Sequence, residues 1–201
     1  MKHLKKAELV EGIVHMPLPL SLKRHGQPHA VLCSWAVVYA AGMLGTQAGD
    51  SATVILDPSN ELQPDVLLRI LPENGGQTSD TEDEYVDGAP EFVGEVASSS
   101  ASYDLHDKRT AYRRNGVREY LVWLTRENRL EWWALRDNEY VSLPSDANGV
   151  VRSEVFLGLW LDVPALLRGD VAAVLGKLKE GLESAEAATF KARLWDASRK
   201  T

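Results

Sequence analysis

The run Phe92-Val93-Gly94-Glu95-Val96-Ala97, followed by Tyr103-Asp104-Leu105-His106-Asp107-Lys108, decides how this chain reads. Apolar and small residues surround one carboxylate, so the first run is a strand with an acid inside it. A carboxylate in such a place is costly to bury unless it is paired or holds a cation. An earlier segment, Gln63-Pro64-Asp65-Val66-Leu67-Leu68, repeats the device with an acid at the edge of an apolar run. Two acid-bearing strands followed by a lysine-bearing helix are the skeleton of a metal-dependent phosphodiesterase site.

Strand parity sharpens this. Residues 93, 95 and 97 share one face and 92, 94 and 96 the other. Ala97 is therefore the neighbour of Glu95 on the site face, and its small side chain leaves room that Lys108 can fill from the following helix. Asp104 and Lys108 stand at i and i+4, with Tyr112 one turn further, so carboxylate, ammonium and phenol share a helix face. Phosphodiester hydrolysis uses a hard cation held by oxygens and a fixed positive group near the phosphoryl oxygens. Asp65 and Glu95 are the candidate ligands.

Outward from these segments the elements follow in order. Residues 7–16 read as a short strand or hairpin arm ended by Pro17 and Pro19. Pro28 opens an apolar helix over 29–44 that Gly45 closes, and its apolar faces imply burial. Strands are expected over 52–56 and 64–70, separated by the turn Asp57-Pro58-Ser59-Asn60. The Ser-rich turn 98–102 suits a helix cap, and the helix should run over 104–115 and stop at Gly116. Runs 119–124, 130–135 and 140–143 make a Trp- and Tyr-rich meander, with Trp123, Trp132 and Trp133 read as core. A further strand pattern lies within 150–161. Residues 170–194 have helical spacing, in one or two amphipathic helices. The expected fold is α/β, a mixed sheet flanked by helices over residues 1–169, with a helical extension over 170–201.

Composition sets the bounds. At 201 residues the chain is long enough for a core without disulfides, and Cys33, its one cysteine, cannot form one internally. Cys33 itself reads as a core residue. The apolar stretch 30–44 is too short to span a bilayer. The charged start of the chain has no apolar segment or cleavage site behind it, so the protein is expected in the cytoplasm, with no membrane partner. A net charge of −7 argues against a protein that coats nucleic acid. Basic residues nevertheless gather between Asp104 and Arg118, mostly on the expected helix: Lys108, Arg109, Arg113, Arg114 and Arg118. Acidic ones gather in the loop before it: Asp80, Glu82, Asp83, Glu84, Asp87 and Glu91. The two groups can simply neutralise each other.

Pro64-Asp65, the Gly88-Ala89-Pro90…Glu95-Val96 run, Tyr103-Asp104…Lys108…Tyr112 and Gly116-Val117-Arg118-Glu119-Tyr120 together resemble the Uma2 family. These are restriction-endonuclease-like proteins of the PD-(D/E)xK nuclease superfamily. The resemblance spans roughly residues 8–167 and includes Glu11-Gly12, His29 and the segment from Ser153 to Leu159. It implies a restriction-endonuclease-like mixed sheet, a divalent metal (Mg²⁺, with Mn²⁺ as substitute) and endonuclease chemistry, with DNA as the favoured substrate. Carried over by position, Asp65 matches the aspartate of the PD element and Glu95 the acid of the third motif. The superfamily lysine would stand at 97, where this chain has Ala97, and Lys108 looks like its relocated counterpart. Ser99-Ser100 also replaces the more usual Ser-Pro of the following turn.

The expected catalytic set is therefore Asp65, Glu95 and Lys108, with Asp65 and Glu95 on the metal. Asp104, Tyr112, Glu11 and His29 support it, and Arg109, Arg113 and Arg114 meet the phosphate backbone. Each residue has a plainer reading. Asp104 to Lys108 is by default an exposed helix pair contributing about 0.3–0.5 kcal/mol. Glu95 can be a buried structural partner of an arginine, and His29 a capping or core histidine. His15, His25 and His106 have no ligand spacing with one another, so no zinc site is expected. Two rivals stand beside the nuclease: a non-catalytic binding module of the same fold, and a hydrolase of small phosphoesters if the acidic 80–91 loop overhangs the site. The C-terminal helices suggest a homodimer.

Overall fold

A computed structural model of the chain describes residues 7–16, 19–98 and 100–199. The readings of the charged start, of Pro17 and of Ser99 lie outside the described residues, as do the last two positions of the helical extension.

Strands β1 (Glu8–Val10) and β2 (Ile13–His15) form an antiparallel hairpin. It turns at Glu11 and Gly12, both with positive φ (51° and 76°), a geometry that suits glycine at the second position. A π-helical turn, Leu22–Gly26, then runs into α1 (Gln27–Gly42). The helix starts two residues before the expected bound, since the π-helical turn runs straight into it, and ends two residues early, since Thr46–Asp50 forms β3 and needs a turn before it. Only one side of α1 is buried, through Leu32, Trp35, Ala36 and Tyr39; Val37 and Val38 are exposed.

Next come β4 (Val54–Asp57), β5 (Asn60–Leu62), β6 (Val66–Ile70), the two-residue strands β7 (Ser79–Asp80) and β8 (Val86–Asp87), and β9 (Phe92–Ala97). A continuous helical run follows: α2 (Ala101–Tyr103), a second π-helical turn at Asp104–Lys108, and α3 (Arg109–Asn115). Gly116, at φ 86°, closes it as the sequence predicts. The meander is β10 (Glu119–Leu124), β11 (Arg129–Arg136) and β12 (Glu139–Ser142). The chain ends with the hairpin β13 (Val150–Arg152) and β14 (Trp160–Asp162), then α4 (Val163–Arg168), α5 (Val171–Leu182) and α6 (Ala185–Ser198). Side chains of Asp162, Asp170 and Ser184 cap those last three helices.

The central sheet has the order β12-β11-β10-β9-β6-β3, and β9 with β10 is its parallel pair. Every residue of β6, β9 and β10 is buried, which is why these strands read as unbroken apolar runs rather than alternations. Parity sorts the side chains into two cores. Phe92, Val96, Leu121, Trp123 and Trp132 pack with α1 on one face. Val93, Ala97, Tyr120, Val122 and Trp133 pack with Ala111 and Tyr112 of α3 on the other. Gly94 lets α1 come close: a Cβ there would lie 3.2 Å from Leu32 Cδ2 and 3.4 Å from Phe92 Cε1.

A second sheet, β2-β1-β5-β4-β8-β7, carries the N-terminal hairpin. Helices α5 and α6 place Val174, Leu178, Ala187, Phe190 and Leu194 in the same core as α1. Their amphipathic faces are thus spent within the chain. Among the described residues no helix is long and apolar enough to cross a membrane. The mixed α/β architecture is the one the sequence predicts.

Candidate functional site

The register of β6 against β9 pairs Val66 with Gly94 and Leu67 with Val93. Asp65 stands one residue past the last rung, so it meets Glu95 across the sheet. Both are buried. Asp65 Oδ2 accepts the Val96 backbone N–H at 2.8 Å. Glu95 projects to the α3 side, as parity requires, and its Oε1 accepts two hydrogen bonds: from Lys108 Nζ at 3.0 Å and from the Tyr112 hydroxyl at 3.0 Å. Glu95 Oε2 has no hydrogen-bond partner among the described residues.

The π-helical turn presents Asp104 and Lys108 together. Such turns widen the helix locally and are common at functional sites. Lys108 Nζ lies 3.8 Å from Asp104 Oδ1 and 2.9 Å from Glu8 Oε1. The Asp104–Lys108 pair is not the exposed pair that spacing alone suggests, since both side chains are buried. Glu8, on β1, also accepts the Gln63 backbone N–H at 2.9 Å, which fastens the hairpin to the segment before Asp65.

The electrostatics follow from burial. Three carboxylates (Glu8, Glu95, Asp104) surround one ammonium, and a fourth, Asp65, acts on Glu95 and Asp104. Burial pushes the Glu95 carboxyl well above the ordinary range; Lys108 pulls it back, while Asp65, Asp104 and Glu8 push it further up. Burial also raises Asp104. Burial works against the Lys108 ammonium, but Glu95, Glu8 and Asp104 together hold its pKa well above 10.5. Burial pushes the Cys33 thiol up to about 12, so it is not a thiolate nucleophile at neutral pH.

These groups line a cavity of about 320 Å³. Glu8, His25, Asp65, Glu95, Tyr103, Asp104 and Lys108 contribute to its wall, and the exposed apolar side chains of Met16 and Leu20 to its lining. No residue of the acidic 80–91 run lines it. That run does not neutralise the basic helix either: Arg113 pairs with Glu139, Arg114 with Glu11, and Asp80 with Arg69. Glu91 is a structural carboxylate, accepting the backbone N–H groups of Ile70 and Gln77.

Of the residues expected at the site, Asp65, Glu95, Lys108 and Asp104 meet at the cavity, and Tyr112 touches it through Glu95. Glu11 does not. It sits at the β1–β2 turn and pairs with Arg114. His29 reaches the main chain of Asp65 rather than its carboxylate, Nε2 lying 2.8 Å from the carbonyl oxygen. The three arginines lie off the cavity lining. Arg109 stacks its guanidinium 4.7 Å from the Trp133 ring, and Arg113 donates to the Asn138 carbonyl.

Two residues were not singled out from sequence. Glu8 carries the same signal as Asp65, an acid at the edge of a short apolar run. His25 carries none, because its position depends on the first π-helical turn. Its Nδ1 lies 2.9 Å from the Val96 carbonyl, which can only accept, so Nδ1 bears the proton. Its Nε2 is then turned toward Asp65 Oδ1 at 3.4 Å, where a lone pair or a second N–H faces the carboxylate. Among the described residues, His25, His29 and Asp65 have ligand atoms within 4.8 Å of one another. Glu95 is not in that group, and it shares the cavity wall with Asp65 and His25 rather than a closed set of ligand atoms.

Comparison with known proteins agrees with this fold. No curated protein matches the chain. A crystal structure described as "a putative nuclease belonging to DUF820" from Anabaena variabilis is similar to it, with a TM-score of 0.58 and 15% identity. The match covers 81% of this chain and 89% of that one. At that identity the likeness is one of fold. The model of the family described as "Putative restriction endonuclease" matches residues 1–164, a span that holds Glu8, His25, Asp65, Glu95 and Lys108. This chain belongs to the Uma2 family.

Proposed function

We propose that the chain is a divalent-metal-dependent endonuclease that hydrolyses phosphodiester bonds, with Mg²⁺ as the ion, DNA as the favoured substrate and the cytoplasm as its compartment. The observation that carries this reading is the gathering of four carboxyl groups, Glu8, Asp65, Glu95 and Asp104, on the wall of one cavity that holds a single buried lysine, Lys108. Asp65 and Glu95 would hold the ion, with His25 as a nitrogen ligand or as the group that orients Asp65. When bound, the ion acts as a Lewis acid on the phosphoryl oxygen and lowers the pKa of an attacking water.

The chain's own residues do the rest. Lys108 uses two of its three N–H donors on Glu8 and Glu95, which leaves the third to meet a phosphoryl oxygen. Asp104 and Tyr112 keep the lysine and Glu95 in register. Arg113 and Arg114, on the flank of α3, are the candidates for phosphate contacts along a longer substrate, Arg114 being 58% exposed. A homodimer would supply a second cut and a longer track of such contacts; a mass measurement in solution decides that.

A second reading is favoured by one observation: Lys108 is already paired with Glu8 and Glu95, the pattern of a purely structural ion network. The chain would then be a non-catalytic module of the same fold. Two assays separate the readings. Mg²⁺ or Mn²⁺ should raise the melting temperature of the wild type and not of Asp65→Ala. Wild type should then cleave DNA and Glu95→Ala should not. Equal digestion by both would assign the activity to a contaminant.

A further inference from the structure

A second group of ligand-type side chains gathers on the main chain of Asp65. His29 and Cys33 lie at i and i+4 on α1, so they share a face. Asp50, the last residue of β3, faces them: His29 Nε2 is 3.0 Å from Asp50 Oδ1. The ligand atoms of His29, Cys33 and Asp50 all lie within 4.8 Å of one another. A fourth oxygen joins them, the Asp65 carbonyl, at 2.8 Å from His29 Nε2 and 3.7 Å from Cys33 Sγ.

We propose that His29, Cys33 and Asp50, with the Asp65 carbonyl, form a site for a thiophilic divalent transition ion of the Zn²⁺ class. One sulfur, one imidazole nitrogen and two oxygens are the donors such an ion takes, whereas Mg²⁺ rejects thiolate. Zn–S of about 2.3 Å and Zn–N of about 2.0 Å put tetrahedral ligand atoms about 3.5 Å apart. Cys33 Sγ already stands 3.7 Å from the Asp65 carbonyl, while His29 Nε2, at 3.0 Å from Asp50 and 2.8 Å from that carbonyl, has only to draw back slightly as the ion enters. Access is open, because the Asp50 side chain is 64% exposed. On binding, the thiol proton passes to solvent as the sulfur–metal bond forms, so affinity rises with pH. The consequence for the neighbouring cavity is positional. An ion here clamps the peptide that carries Asp65 to α1 and β3. The inference rests on its own donors and does not need the nuclease reading.

The plainer account of the same distances is a histidine N–H shared between Asp50 and the Asp65 carbonyl. Cobalt separates the two. Metal-stripped full-length chain titrated with Co²⁺ should develop a near-ultraviolet thiolate-to-cobalt band that saturates at one equivalent and is bleached by Zn²⁺. Cys33→Ser should abolish the band, and His29→Ala should weaken Co²⁺ binding at least tenfold. Asp65→Asn, which keeps the carbonyl, should retain the band while losing stabilisation by Mn²⁺, so failure of one site is distinguishable from failure of the other. In wild type, Zn²⁺ should slow the reaction of Cys33 with a disulfide reagent at least tenfold, a readout that needs no variant to fold. The proposal is overturned by absence of the band at tenfold excess Co²⁺, by its survival in Cys33→Ser, or by thiol reactivity that Zn²⁺ leaves unchanged.

Discussion

Replacing Lys108 by methionine removes the ammonium while keeping most of the buried stem, so its effect isolates charge from packing. In the folded chain Nζ is 2.9 Å from Glu8, 3.0 Å from Glu95 and 3.8 Å from Asp104. Removing one partner of a buried pair costs about 3–5 kcal/mol. The carboxylates left behind can relieve that cost by binding at least one more proton than the wild type holds. A glutamate carboxyl that ionises at 4.5 when unfolded costs about 1.36 kcal/mol per pH unit to keep protonated. The penalty for Lys108→Met is therefore about 3.4 kcal/mol at pH 7 and about 0.7 kcal/mol at pH 5. The sign agrees with the lysine itself, whose folded pKa is raised and whose contribution is fully present at neutral pH. Urea denaturation of wild type and variant across pH 5–8 measures the difference. At about 2–4 °C per kcal/mol, the melting temperature at pH 7 falls by about 7–14 °C. A penalty under about 1 kcal/mol at pH 7, or one that does not change with pH, would refute the buried-charge account.

Other predictions follow the same logic. Glu8→Gln keeps an acceptor for the Gln63 N–H but removes one of the carboxylates that Lys108 meets, so Mn²⁺ affinity should fall about tenfold in calorimetric titration; unchanged affinity would remove Glu8 from the site's charge balance. Glu119 is buried on β10, and burial raises its carboxyl to about 7 despite hydrogen bonds from Ser153, Glu154 and Val155. The folded chain then holds more protons than the unfolded one between pH 4.5 and 7, so Glu119's contribution is full below that window and lost above it. Relative to Glu119→Gln, wild-type stability should fall by about 3 kcal/mol across the window; a flat difference would show that the three donors keep Glu119 ionised. Gly94→Val places new atoms against Leu32 and Phe92 at a site where a bare Cβ is already tight. It should cost about 1–3 kcal/mol by overpacking. A neutral result would mean that α1 stands further from β9 than described.

The parts of the fold most legible in sequence were those with the most burial. Strands β9 and β10 are apolar along their whole length because both faces are covered. The helix after β9 was visible from its Gly116 stop and from the shared face of Asp104, Lys108 and Tyr112. Strand β3 escaped notice because Thr46-Gln47-Ala48-Gly49-Asp50 is a mostly polar edge strand with no alternation to read. Strand β5 was hidden where the sequence looked like the tail of a turn. At the site, Asp65 and Glu95 declared themselves as acids within apolar runs, since such placement needs a reason. Glu8 carried that signal in a shorter run, but its partnership with Lys108 spans 100 residues and is set by the second sheet meeting the first. His25 depended on a π-helical turn, which no spacing rule foretells, whereas Cys33 packs half-buried against the core, as its apolar helix suggested. Glu11 and the arginines misled because acids and bases at turns and helix ends find one another across the surface.

The central claim is a divalent ion shared by Asp65 and Glu95. Crystals grown with Mn²⁺ and measured for anomalous scattering test it most directly. The account predicts a peak about 2.1 Å from both Asp65 Oδ1 and Glu95 Oε2, with Lys108 still bonded to Glu95 Oε1. A cavity with no peak at saturating Mn²⁺, or a peak bound to only one of the two carboxylates, would contradict it.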